Sequence, residues 1–197
     1  MNFLFHLYLS GDDEELLVGN FMGDFVKGPL NNDYPPRVRQ GLLLHRQIDV
    51  FAQHNILFQR SRLRIDPKYG HYRGILVDLF YDHFLAKGWN DWSATDFSEY
   101  LQQTHRTIDR YRAIMSPELQ SLVPIIFNDL LPSYRQITGT ETALRRMARR
   151  IRRPNPLAAG GLELSRHYRE LQEDFSLFTP AIQNFVSIFC AEHPPSQ

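Results

Sequence analysis

The sequence predicts an all-α protein, a single helical bundle spanning residues 1–197. Apolar residues recur at three- and four-residue steps along most of the chain, the period of one helix face. Val, Ile and Thr rarely alternate with polar residues, and glycine-centred hairpin signals are missing. With 43% hydrophobic and 22% charged residues, the chain has the composition of a globular domain large enough for one substantial core.

The elements follow in order. Asn2 to Leu9 reads as a short helix or turn carrying His6. Asp12 or Asp13 can cap a helix to about Lys27, with Glu14 and Glu15 in the favoured first turn. Gly28-Pro29 stops it, and Asn31 to Pro36 is a polar loop. Pro36 suits the first turn of a long helix through about Gln59, bent near Gln53 to Asn55. Asp66-Pro67 to Gly70 turns the chain into a helix that ends near Gly88. Ser93 to Thr95 offers caps for a helix reaching about Met115, and Ser116-Pro117 starts another that Pro132 ends. A basic helix opens at Thr140-Glu141 and is closed by Pro154 and Pro156. Ala158 to Gly161 is a flexible link, and Leu162 to Ala191 is one long helix, or two meeting at Thr179-Pro180. The tail from about residue 192 is expected to be frayed.

Charge and cysteine usage exclude several classes. Lys and Arg number 22, as do Asp and Glu, so no global field argues for nucleic acid or a membrane surface. The single cysteine, Cys190, excludes an internal disulfide and a cysteine metal cluster. Within Phe185, Val186, Ile188 and Phe189 it reads as a small core residue. No apolar run reaches the roughly 18 residues of a membrane helix. Met1 to Leu9 is apolar but lacks a basic flank and runs into acidic Asp12 to Glu15, so it is no signal peptide. A cytoplasmic protein is expected.

Polar residues in apolar rows point to chemistry. In GILVDLFYDHFLAKGW, residues 74–89, the helical stripe is Ile75, Asp78, Asp82, Leu85, Trp89, with His83 beside the two carboxylates. Carboxylates buried one turn apart are unfavourable unless a positive group meets them. Arginines such as Arg73 would serve, and so would a metal cation. The helix from Pro36 carries Leu42, His45, Asp49, Ala52, Ile56 on one stripe. The preceding helix carries Leu17, Phe21, Asp24, with Asn20 one turn before Asp24. His6 interrupts Phe3, Leu4, Phe5, Leu7, Leu9. Each alone suits a hydrogen-bonded core residue or a helix cap. In a protein with one core these inward faces converge, which favours a shared divalent ion. Imidazole and carboxylate without thiolate suit manganese, magnesium, iron or zinc. Arg46 and Arg73, adjacent to these candidates, could clamp a phosphate. No nucleophile elbow and no phosphate-cradling glycine loop is present; the spacing of Gly19, Gly23 and Gly28 is helical.

The run ALRRMARRIRRP, residues 143–154, is a second signal. Arg145, Arg146, Arg149, Arg150 and Arg153 are linked by three- and four-residue steps, with Arg152 beside them, while Leu144, Met147, Ala148 and Ile151 form the other side. A concentrated positive strip in a neutral protein suits an acidic partner. Without interleaved aromatics, nucleic acid ranks below an acidic protein. Arg37, Arg39, Arg60, Arg62 and Arg64 can extend that surface.

MNFLFHLYLS, GNFMGDFVKG, LLLHRQID and RGILVDLFYDHFLAKGW, in that order from Met1 to about Trp89, resemble the acyl carrier protein phosphodiesterase family, also called acyl carrier protein hydrolase. The later chain matches mainly in length, helical character and the basic RRPNPL segment. The resemblance implies a helical fold distantly similar to the HD metal phosphohydrolases. It also implies hydrolysis of the phosphodiester joining 4′-phosphopantetheine to a serine of holo acyl carrier protein, aided by a divalent cation, commonly manganese (Mn2+, with Mg2+ or Fe2+ as alternatives). Carried over, His45 and Asp49 of LHRQID, Asp24 of GDF, and Asp78, Asp82 and His83 of VDLFYDH form the expected metal and catalytic set, joined by His6. The chain has no His-Asp dipeptide, so which of these are direct ligands stays open.

Taken together, Asp24, His45, Asp49, Asp78, Asp82 and His6 are expected to hold metal or orient water. His83 would protonate the leaving oxygen, Arg46 and Arg73 would clamp the phosphate, and the arginine strip would steer the acidic carrier protein. Two alternatives stand beside this. One is a metal phosphohydrolase for a nucleotide or other small phosphoester. The other is a non-catalytic module that binds acidic proteins through its arginine helix. The sequence leaves the oligomeric state open.

Overall fold

A computed structural model describes residues 2–30 and 33–194. The described residues form helices and turns without a strand, and the buried apolar side chains make one continuous core. Asn31 and Asn32 of the expected polar loop and residues 195–197 of the expected frayed tail lie outside the described residues. No helix among the described residues is long and apolar enough to cross a membrane.

The N-terminal half builds the site. Helix α1 (Phe3–Leu9) lies inside the molecule, with Leu4, Phe5, His6, Leu7 and Leu9 buried. Helix α2 (Glu14–Met22) begins where Asp13 accepts from Leu16 N, the expected cap, and continues as a 3-10 turn over Gly23–Phe25. Helix α3 (Pro36–His54) crosses α2 at Gly19 and Gly41. A Cβ on Gly19 would come within 2.0 Å of Val38 O, and one on Gly41 within 2.2 Å of Leu16 O. Only glycine permits backbones to approach this closely. The expected bend after Gln53 is a break. Helix α3 ends at His54, and Asn55, its Oδ1 accepting from Leu57 N, caps α4 (Ile56–Arg64).

Helix α5 (Tyr72–Lys87) departs from the expected one-sided stripe. Every residue from Leu76 to Ala86 except Asp78 is buried, whereas Ile75 is 36% exposed. A helix buried nearly all round is central to its bundle, and its polar residues can face different neighbours. Helix α5 packs against α1, α4 and the short α6 (Trp89–Trp92). The chain continues through α7 (Phe97–Arg110), capped by Asp96 in place of the expected Ser93 to Thr95, and α8 (Pro117–Ile125), capped by Ser116 as expected. Beyond Pro124, which has no N–H to donate, the helix widens into a π-helical segment, Ile126–Leu130, before α9 (Leu131–Ser133).

Helix α10 (Ile137–Arg150) starts and stops a few residues before the basic helix read from the sequence, so Arg152 and Arg153 lie beyond its end. The link expected to be flexible holds a 3-10 turn (Leu157–Ala159) leading into α11 (Gly161–Arg166). Helix α12 (Tyr168–Glu192) runs unbroken through Pro180, with Thr179 Oγ1 donating to Phe175 O at 2.8 Å. It is fastened to α4 by fully buried Asp174, which accepts from Arg64 Nε at 2.9 Å, Ser61 Oγ at 3.0 Å and Arg60 Nε at 2.6 Å.

Candidate metal centre

Asn20, at the close α2–α3 crossing, organises the two inward histidines. Its Oδ1 lies 2.8 Å from His6 Nδ1 and its backbone carbonyl 2.7 Å from His45 Nδ1. Its Nδ2 donates to His6 O at 2.9 Å and Ser10 Oγ at 2.9 Å, which fixes the amide orientation. Carbonyl oxygens only accept, so both Nδ1 atoms carry the hydrogen. Both Nε2 lone pairs therefore face away from Asn20. The rings stack 3.8 Å apart at 11°. Gly23 makes room for this, since a Cβ there would lie 2.1 Å from His45 Cγ.

Carboxylates occupy the space the lone pairs face. His6 Nε2 is 3.4 Å from Asp49 Oδ1, and His45 Nε2 is 3.5 Å from Asp49 Oδ2 and 3.7 Å from Asp24 Oδ1. Donor atoms of His6, His45 and Asp49 all lie within 4.8 Å of one another. Neighbouring ligands have such spacings around a cation whose bonds are about 2.0–2.2 Å. His6 Nε2 is buried without a hydrogen-bond partner. Burial, with the adjacent His45, lowers the His6 pKa to about 4, so the ring is neutral at physiological pH and its lone pair is available. Burial alone would raise Asp49, but the adjacent His6 and His45 rings hold it well below the usual carboxylate range. Asp24 is likewise lowered, its contacts with His45 outweighing burial. Two imidazoles and a carboxylate converging, with histidine tautomers fixed from behind, form a group that could hold a divalent cation.

A cavity of about 480 Å³ opens beside this cluster, lined by Asp24, Asp49 and Asp78. Asp78 reaches it from α5, and burial raises its pKa. Thus five of the sequence-selected residues, His6, Asp24, His45, Asp49 and Asp78, meet at one place.

Asp82 and His83 do not join them. Asp82, one turn beyond Asp78, is fully buried at the start of α1, where Oδ2 accepts from Leu4 N at 3.0 Å and Oδ1 from Phe5 N at 2.9 Å. It positions the helix that bears His6. His83 points to another cavity, shared with Lys87 and Arg135. Its Nδ1 donates to Tyr134 O at 2.7 Å, and its Nε2 faces the Tyr168 hydroxyl at 3.0 Å. The expected clamps are also placed elsewhere. Arg46 donates to Gly28 O at 2.7 Å and Val26 O at 3.3 Å, Arg73 donates to Gly70 O at 3.2 Å, and neither lines the carboxylate cavity. Of the arginines expected to extend the positive strip, Arg37 pairs with Asp13, and Arg60 and Arg64 pair with Asp174.

The strip itself is exposed. Arg145 lies 3.8 Å from Glu141, Arg146 2.6 Å from Asp129 and Arg150 3.1 Å from Glu118. The cavity residues His54 and His71 are the contributors that residue-type reasoning passed over; Arg62, expected to extend the positive strip, lines the cavity instead, and Asn20 and Gly23 are read from the sequence only as a polar stripe residue and a helical glycine. The Gly-Asn and Gly-Asp pairs at 19–20 and 23–24 were their nearest sequence signal.

A family model for acyl carrier protein phosphodiesterase matches residues 1–182. Curated relatives carry the same name. One from Yersinia pestis is 29% identical over 92% of this chain and 95% of its own. One from Klebsiella pneumoniae is 30% identical over 94% of this chain and 97% of its own, and one from Salmonella agona is 30% identical over 91% and 94%. No solved structure matches. A match over nearly the whole chain means that the chain belongs to the acyl carrier protein phosphodiesterase family.

Proposed function

We propose that the protein is a divalent-metal-dependent phosphodiesterase that removes 4′-phosphopantetheine from the serine of holo acyl carrier protein, giving apo carrier protein. The observation that carries the metal is the convergence of His6 Nε2, His45 Nε2 and an Asp49 oxygen, with both Nδ1 atoms engaged by Asn20. The relatives' names carry the substrate. His6, His45 and Asp49 would hold the ion, with Asp24 and Asp78 on the lining of the adjoining cavity. Manganese is the expected metal; magnesium and iron suit the same donors. A divalent cation in such a set supplies Lewis acidity toward a phosphoryl oxygen and toward water.

The residues of the chain do the rest. Asn20 keeps each imidazole in the tautomer that leaves Nε2 unprotonated. Asp78, its pKa raised by burial, takes the proton of a water entering the cavity. Oxygen from that water bonds to phosphorus, the bond from phosphorus to the serine oxygen breaks, and the serine oxygen gains a proton. Exposed arginines 145, 146, 149 and 150 of α10, with Arg153 beyond its end, give an acidic carrier protein a complementary face.

Incubation with holo carrier protein and with a nucleotide panel, each with Mn2+, tests this reading by mass spectrometry. Loss of the prosthetic group with the nucleotides intact is expected. Hydrolysed nucleotides with intact holo carrier protein would favour a small-molecule phosphohydrolase, and no turnover together with no bound metal would favour a non-catalytic acidic-protein binder.

A further inference from the structure

Arg62 differs from the other cations around the metal centre. Arg46 and Arg73 are tied to backbone carbonyls, and Arg60 and Arg64 to buried Asp174. Arg62, on α4, lines the carboxylate cavity. Its Nη1 donates to Gln59 Oε1 at 3.2 Å, one turn back on the same helix, which holds the guanidinium in place. Its Nε is buried with no hydrogen-bond partner, and it lies 3.9 Å from where a Cβ on Gly74 would stand. A buried charged donor without an acceptor is unfavourable unless something arrives to meet it. Here the adjoining space is the cavity.

Charge in that cavity sets what arrives. Asp24, Asp49 and Asp78 face it together and would repel an anion. His54 and His71 also line it, but both are exposed, and His54 Nδ1 is engaged by Val50 O at 2.8 Å. Arg62 is the one guanidinium on the lining among the described residues. Its planar fork matches two oxygens of one phosphoryl group, which a lysine or histidine cannot do.

We propose that Arg62 is a substrate-binding residue that grips the non-bridging oxygens of the phosphodiester in the cavity that the carboxylates also line. That the anion is a phosphodiester rests on the function proposed above; that the site takes a phosphoryl anion does not. On α4, Ile56 and Leu63 are 77% and 75% exposed, so the helix can meet a large substrate while Arg62 reaches inward.

Two measurements test it. Binding of inorganic phosphate to the full chain, read by phosphorus NMR line width, should be lost in Arg62→Gln and weakened in Arg62→Lys. On holo carrier protein with Mn2+, Arg62→Gln should lower kcat/KM by about 10²-fold while Mn2+ affinity stays at the wild-type value. Arg62→Lys should recover part of the loss, and methylguanidinium should restore turnover to Arg62→Ala. Wild-type phosphate binding in Arg62→Gln would overturn the assignment. So would Mn2+ affinity falling in parallel with turnover, which is the signature of a residue that only packs the cavity wall. If the wild-type protein fails to act on holo carrier protein, the proposed function falls, and the phosphate measurement still decides the role of Arg62.

Discussion

Replacing Asp82 with alanine separates a metal ligand from a scaffold residue. Both oxygens of this fully buried carboxylate accept from backbone N–H groups of α1, Leu4 at 3.0 Å and Phe5 at 2.9 Å. These belong to the N–H groups at a helix start that have no partner within the helix. Leaving a buried donor unsatisfied costs about 1–3 kcal/mol, so removing both acceptors at once should destabilise the protein by about 2–6 kcal/mol. That is a large share of a typical total of about 5–15 kcal/mol. Asp82→Asn should fall between, because its amide keeps one acceptor and turns a donor toward the other N–H. Urea denaturation of metal-free protein, followed by helical circular dichroism, measures the loss as a lower midpoint at unchanged slope. Where the variant remains folded, Mn2+ affinity should drop only as far as α1 and His6 shift. Wild-type stability in metal-free Asp82→Ala combined with abolished Mn2+ binding would refute this reasoning and return Asp82 to the ligand set.

Three further outcomes follow from the same geometry. Gly19→Ala or Gly41→Ala should cost about 1–3 kcal/mol or more and weaken Mn2+ binding, because the added Cβ drives α2 from α3 and His45 from the Asn20 carbonyl; unchanged denaturation and titration curves would count against the close crossing. His6 has a folded pKa of about 4, below its ordinary 6.5, so the unfolded chain binds more protons between those values. Its stabilising contribution is complete above pH 6.5 and is lost as pH falls toward 4, by up to about 3 kcal/mol. Metal-free wild type should therefore lose more stability than His6→Gln across that window, and parallel curves would contradict a buried neutral ring. Arg149→Glu with Arg152→Glu should raise KM for holo carrier protein about tenfold and flatten its salt dependence; steady-state kinetics at two ionic strengths check this, and an unchanged KM would move the docking face elsewhere.

Much of this site was legible because ionisable groups intruding on apolar rows are rare and must be met by something. That reasoning found His6, Asp24, His45, Asp49 and Asp78, which the fold brings together. The same pattern groups Asp82 with them, whereas its oxygens face the start of α1, since periodicity reports that a side chain is buried and says nothing about what it meets. On α5, buried nearly all round, one turn separates a carboxylate facing the cavity from one facing the start of α1. His83 likewise faces other neighbours, its ring held between Tyr134 and Tyr168. Asn20 was noticed only as a polar residue on a stripe, because its role depends on a backbone carbonyl reaching a second helix. The helix starts at Asp13 and Ser116 were readable from capping chemistry, whereas the π-helical segment beyond Pro124 has no comparably local signal.

The central claim is that His6, His45 and Asp49 jointly hold a divalent cation. Calorimetric titration of metal-free protein with Mn2+ tests it most directly, run on wild type, His45→Ala and Asp49→Ala with circular dichroism to verify folding. The account predicts saturable, stoichiometric binding to wild type and its loss in both folded variants. Equal binding by all three proteins, or none by the wild type, would contradict it.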